Sequence, residues 1–162
     1  MKKKILLKNQ KFILDIDDDD EIIIGLVRLV KELPDHELFF HINQLNPFQF
    51  RRITDLIVPG QYYTFHYPRY QAFLQQNQTC VQLISNRASQ QITLQDAPVL
   101  FTGEEEKRHL LPRFEEVDFL ITTSEPIDDF SVILLPDHLA FQIQEYPLSA
   151  EDELYHLIEY YE

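Results

Sequence analysis

The sequence predicts an α+β protein: a mostly antiparallel sheet with helices packed on one face, in a single domain over residues 1–162. Three observations carry this. Apolar stripes at helical spacing mark residues 34–45 and the C-terminal 149–161, while the chain between them breaks into short alternating segments. Strands and helices do not alternate regularly, as a doubly wound parallel sheet would require. A chain of 162 residues with 44% hydrophobic content can bury a core without disulfides or a structural metal.

Taken in order, residues 4–15 alternate apolar and polar and read as a strand. "EIIIGLVRLVKEL" from Glu21 is two-sided. Its β-branched start suits a strand, but Ile23, Val27 and Val30 fall at helical spacing, and the segment is expected to be a short helix. Pro34 suits a first helical turn, with Asp35 and Glu37 at the end that favours acids. Leu38, Phe39, Ile42 and Leu45 give that helix its apolar face, and Asn46-Pro47 stops it. "QYYTFHYP" alternates and reads as a strand ending at Pro68. "TCVQLIS", "QQITLQ", "APVLF", "EVDFLITT", "FSVILLP" and "LAFQIQEY" are further strand candidates. In "SAEDELYHLIEYY", Ser149 and Asp152 resemble a capping box, and Leu154, Leu157, Ile158 and Tyr161 form the stripe of a last helix.

Charge narrows the function. The net charge is −13. Residues 1–100 hold 11 Lys/Arg against 11 Asp/Glu, and residues 101–162 hold 3 against 16, so the last third supplies the whole excess. Such a surface repels duplex phosphates and anionic lipid, which disfavours nucleic acid and membrane partners and suits a basic one. No apolar run approaches the length of a membrane span, and "MKKKILLKNQKF" lacks the apolar region of a secretory signal. The single Cys80 cannot form an internal disulfide, which points to a reducing, cytoplasmic setting.

The most chemical-looking text is "FILDIDDDDEIIIG". As a calcium loop starting at Asp15 it fails, because Asp20 stands where a glycine must turn the chain and Leu26 where a bidentate glutamate must close it. As the Asp-x-Asp of a haloacid-dehalogenase-type phosphatase, Asp15 would be the nucleophile and Asp17 the general acid, with Mg2+ between carboxylates and Asp128-Asp129 as a loose match to the metal-binding acidic pair. Asp19 departs from that pattern, and no lysine motif accompanies it. The alternative is a solvated acidic junction between two apolar elements.

No nucleophile elbow, zinc-spaced histidine pair or glycine-rich phosphate loop is present. Arg51, Arg52, Arg69 and Arg87 lie in a stretch whose only acid is Asp55, interleaved with Tyr62 and other aromatics. Such a set can stack single-stranded nucleic acid, but four arginines are a weak footprint. A surface for protein or small-ligand contact, or for the acidic third of another copy, suits it better.

Three segments in order, "PDHELFFHINQL", "LISNR" and "LPRFEEVDFLI", resemble the uncharacterised bacterial family named for its IPExxxVDY signature. Leu111 stands for Ile, Pro112 matches, Arg113 replaces Glu, Val117 and Asp118 match, and Phe119 replaces Tyr. The resemblance implies a small α+β cytoplasmic protein. Asp118, between alternating apolar residues at a strand entry, is expected to pin a neighbouring turn. The reading reached from sequence is a non-catalytic protein acting through binding or self-association; the rival is a Mg2+-dependent phosphohydrolase using Asp15 and Asp17.

Overall fold

The computed structural model describes residues 21–60, 62–93 and 108–161. The cluster containing Asp15 and Asp17, the strand expected over 4–15, and "APVLF" lie outside the described residues. Among the described residues the architecture is α+β: one fully antiparallel seven-stranded sheet and two α-helices. The strands are β1 Ile22–Val27, β2 Arg51–Pro59, β3 Tyr63–Leu74, β4 Thr79–Ser85, β5 Gln90–Thr93, β6 Phe119–Thr123 and β7 Gln144–Leu148. Six follow the order β2-β3-β4-β6-β1-β7, and β5 pairs with the start of β3. The helices are α1 Asp35–Leu45 and α2 Glu153–Tyr161.

Segment 21–33 is a strand at its start and not the helix expected. β1 lies between β6 and β7, with both of its edges paired. Its residues Ile24 to Val27 are all buried, so both faces are apolar and the period-two signal vanishes. A β-branched run at the centre of a sheet then outweighs its accidental helical spacing. Gly25 has a specific cause: a Cβ there would sit 3.0 Å from Ile143 Cγ2 and 3.2 Å from Ile121. Its bare Cα leaves room for the Ile143 and Ile121 side chains.

Alternation along the strands separates two cores. Ile24, Leu26, Phe65, Tyr67, Ile84, Leu120 and Leu148 point to one face, where α2 packs Leu154, Tyr155 and Ile158. Val27, Tyr70, Ala72, Leu83, Phe119 and Ile121 point to the other, where α1 packs Leu38, Phe39 and Ile42. The expectation that both helices share one face is therefore corrected. A strand with apolar residues at successive positions, as in β6 (Leu120, Ile121), must be covered on both sides. Each fully buried side chain of this size contributes roughly 1.5–3 kcal/mol.

β3 runs on through Pro68 and does not end there. Proline cannot donate to the ladder, and β2 answers with a bulge: Ile53 pairs Arg69 and Leu56 pairs Tyr67, leaving Thr54 and Asp55 opposite Pro68. The buried Arg69 fills the gap, its Nε donating to Thr54 O at 2.8 Å. The bulge also interrupts the alternation of β2, which is why "RRITDLIVP" gave no strand signal. "FSVILLP" is a 3₁₀ turn at Phe130–Val132 followed by irregular chain, and the strand within "LAFQIQEY" starts only at Gln144. Asp129 accepts from Ser131 N at 2.9 Å and caps that turn. Half of the expected capping box forms ahead of α2: Asp152 Oδ2 accepts from Ser149 N at 3.0 Å, while the Ser149 hydroxyl accepts from Glu151 N at 3.3 Å and not from Asp152 N.

Candidate functional site

The two sequence segments "SNR" and "LPRFEEVD" meet at the ends of β4 and β6, and Asn86 is the reason. It is fully buried. Its Oδ1 accepts from Leu111 N at 2.8 Å, and its Nδ2 donates to Phe114 O and Val117 O, both at 2.9 Å. Its own N–H donates to Asp118 O at 3.0 Å, and its carbonyl accepts from Leu110 N at 2.9 Å. One side chain thus satisfies the backbone of a whole irregular loop, as burial requires. Asp118 is fixed next. Its Oδ2 accepts from Leu29 N at 2.7 Å and its Oδ1 from Arg87 Nη1 at 3.2 Å, so the expected pinning role holds: it ties the chain after β1 to the chain after β4.

These contacts frame an open cleft of about 440 Å³ lined by Leu29, Glu32, Asp35, Ser85, Arg87 and Asp118, with Phe119 below. The third sequence segment enters through Pro34 and Asp35 at the start of α1. Asp35 is held from beneath by Tyr70, whose hydroxyl donates to its Oδ2 at 3.2 Å. Tyr70 stacks on Phe39 at 3.8 Å between ring centroids, with the Arg52 guanidinium 5.6 Å from its own ring. Burial, then the Asp35 charge, pushes the Tyr70 phenol up to about 12, so it stays a donor at any physiological pH. The cleft offers three carboxylates and one guanidinium. Both Asp118 oxygens are engaged, and the Ser85 hydroxyl donates to Arg87 O at 2.8 Å. Asp35, Arg87 and Asp118 are thus each held in place by a neighbouring group.

The arginines singled out from sequence do not form one basic surface. Arg52 and Arg69 sit on opposite faces of the sheet because β3 alternates between their positions of contact. Arg52 pairs with Asp55, and Arg87 with Asp118. Arg51 is exposed at the start of β2, and Tyr62 is half-buried just before β3. Arg69 lies in a second pocket of about 250 Å³, between the sheet and α2, with Gln71, Cys80, Gln82, Leu157 and Ile158. Its Nη1 donates to Gln82 Oε1 at 3.4 Å. Asp128 is exposed, and the exposed Asp129 is held below its ordinary pKa by the Ser131 N–H. Among the described residues, no group of three or more His, Cys, Asp or Glu side chains could hold a metal ion.

Glu32, Asp35 and Ser85 are cleft residues that sequence reasoning did not single out as a site. Asp35 carried a helix-start signal, Asp35 and Ser85 lay within segments quoted for the resemblance without being assigned a role, and Glu32 carried no signal. No described helix is long and apolar enough to cross a membrane. Comparison with protein-family models, curated proteins and solved structures found no match for this chain.

Proposed function

We propose that this is a non-catalytic, cytoplasmic binding protein whose contact site is the cleft framed by Glu32, Asp35, Arg87 and Asp118. One observation carries the reading: three segments far apart in sequence converge there, and Asp35, Arg87 and Asp118 are held by Tyr70, by Leu29 N and by each other. Preorganised polar groups in an open cleft of this size suit recognition of a partner's polar group or a small polar ligand. Glu32 and Asp35 would face a cationic or N–H donor, and Arg87 an acceptor. The same convergence supports membership of the IPExxxVDY family, since all three segments that carry the resemblance line or brace the cleft. Arg113 fits this reading as a brace, since it meets Tyr146 and Asp152 and points away from the cleft residues.

The test is amide NMR with a panel of free amino acids and dipeptides, which carry both charges. Shifts are expected at Leu29, Leu33, Ser85, Arg87 and Phe119, abolished in Arg87→Ala and weakened in Glu32→Gln. An unperturbed cleft, or shifts indifferent to both substitutions, refutes the cleft as the contact site.

A further inference from the structure

The irregular chain between the Phe130–Val132 turn and β7 displays apolar side chains that a free surface would ordinarily hide. Leu134 is 49% exposed and Phe141 47%. With Ile143 they line a groove of about 390 Å³, in the size range of binding pockets. Asp129, Asp137 and Glu145 stand along the same groove. Among the described residues, Arg28 is the cation packed against it, its guanidinium 5.0 Å from the Phe141 ring centroid. The groove shares no lining residue with the cleft.

Its shape is set by backbone clamps. The buried Asn46 donates from Nδ2 to Leu134 O and accepts at Oδ1 from Leu134 N, both at 2.9 Å, as a strand partner would. Phe141 N donates to Arg28 O at 2.9 Å, and Val30 N to Leu139 O at 2.8 Å. Leu134 and Phe141 are thus held outward on a fixed frame, so a partner meets an ordered surface and loses less entropy on ordering it. Exposed apolar residues rimmed by polar ones mark interaction surfaces.

We infer that this groove docks a Lys/Arg-rich amphipathic segment of a partner protein, its apolar side chains seated on Leu134, Phe141 and Ile143 and its cations facing Asp129, Asp137 and Glu145. Charge complementarity selects this occupant. Three carboxylates against one guanidinium repel an acidic or anionic-lipid surface, and a second copy brings a net charge of −13 of its own.

The probe is a fluorescent synthetic peptide of about 12 residues, with leucines at helical spacing and lysines elsewhere, read by anisotropy. It should bind the full-length protein, with affinity falling as salt rises. Phe141→Ser and Leu134→Ser each remove an exposed side chain, so the fold persists, and together they should weaken binding by at least about tenfold. Asp129→Asn, Asp137→Asn and Glu145→Gln combined should weaken it and flatten the salt dependence. Arg87→Ala should leave it unchanged, which separates failure here from failure at the cleft. The inference is overturned if the peptide does not bind, or if its glutamate counterpart binds equally well. Full affinity in the Leu134/Phe141 double variant also overturns it. So does a dimer in sedimentation that Phe141→Ser dissolves, because the occupant is then a second copy.

Discussion

Replacing Asn86 by alanine is expected to unfold much of the region behind the cleft, and the magnitude follows from which partners it leaves. Phe114 O loses the Asn86 amide but keeps a hydrogen bond from Val117 N at 3.1 Å. Leu111 N and Val117 O have no such second partner among the described contacts and become buried orphans. At about 1–3 kcal/mol for each of these two unsatisfied buried groups, Asn86→Ala should cost about 2–6 kcal/mol. That is a large part of the roughly 5–15 kcal/mol that holds a domain together. Urea unfolding measures the loss directly, and amide exchange at Leu111 should accelerate with it. Asn86→Asp sharpens the test. One oxygen still accepts from Leu111 N, but the other faces the Phe114 and Val117 carbonyls, which a carboxylate repels and a protonated acid can bond. The folded-state pKa of that aspartate is therefore raised above its unfolded value. Its deficit should be full above the raised folded pKa and shrink as pH falls toward the ordinary aspartate value of about 4. A loss under about 0.5 kcal/mol in Asn86→Ala, or a deficit in Asn86→Asp that ignores pH, would refute the stapling account.

Other perturbations separate the remaining features. Gly25→Ala should destabilise by about 1–3 kcal/mol through overpacking against Ile143 and Ile121, and the cost should shrink in an Ile143→Ala background, as a double-mutant cycle by chemical denaturation would show. Tyr67, pushed up to about 12 by burial, should ionise late in an ultraviolet phenolate titration together with Tyr70. A phenol whose folded pKa is raised lends stability that is whole below about pH 10 and lost as pH climbs toward 12, worth about 2–3 kcal/mol for the fully buried Tyr67. Asp118→Asn keeps an acceptor for Leu29 N and should cost about 1 kcal/mol, whereas Asp118→Ala should cost about 2–3 kcal/mol, a difference thermal melts can resolve. Arg113→Glu places a carboxylate near Asp152 on an exposed face and should cost no more than about 1 kcal/mol by the same melts.

What the sequence made legible was whatever alternated cleanly against solvent. α1, β4 and α2 each carry a polar side that exposes the period, and β6, buried on both faces, was legible as a short β-branched and aromatic run bounded by polar residues; these assignments stand. β1 misled because both its faces are buried, and its identity depends on β6 and β7, which arrive late in the chain. β2 and the second half of β3 were obscured by one cause: Pro68 reads as a stop unless the partner strand is known to bulge. At the cleft, Asp118 and Arg87 were each visible as residues. That they face one another depends on Asn86, a polar residue whose burial no local pattern announces. The helices' placement on opposite faces likewise rests on tertiary alternation that single segments do not display.

The position of β1 in the sheet sets the order of assembly. β2 to β5 pair through neighbouring segments and can close as soon as they are made. β1 pairs only with β6 and β7, and the Leu29 N to Asp118 bond spans 89 residues. Closing so long a loop costs entropy before any contact repays it, which slows folding. During synthesis the Ile22–Val27 strand therefore waits, apolar and unpaired, until the chain has been extended past Thr123, and its second edge stays open until Leu148 is made. The interval in which this protein is vulnerable to aggregation is fixed by topology, and it ends when β1 slides into the slot that only the finished C-terminal half provides.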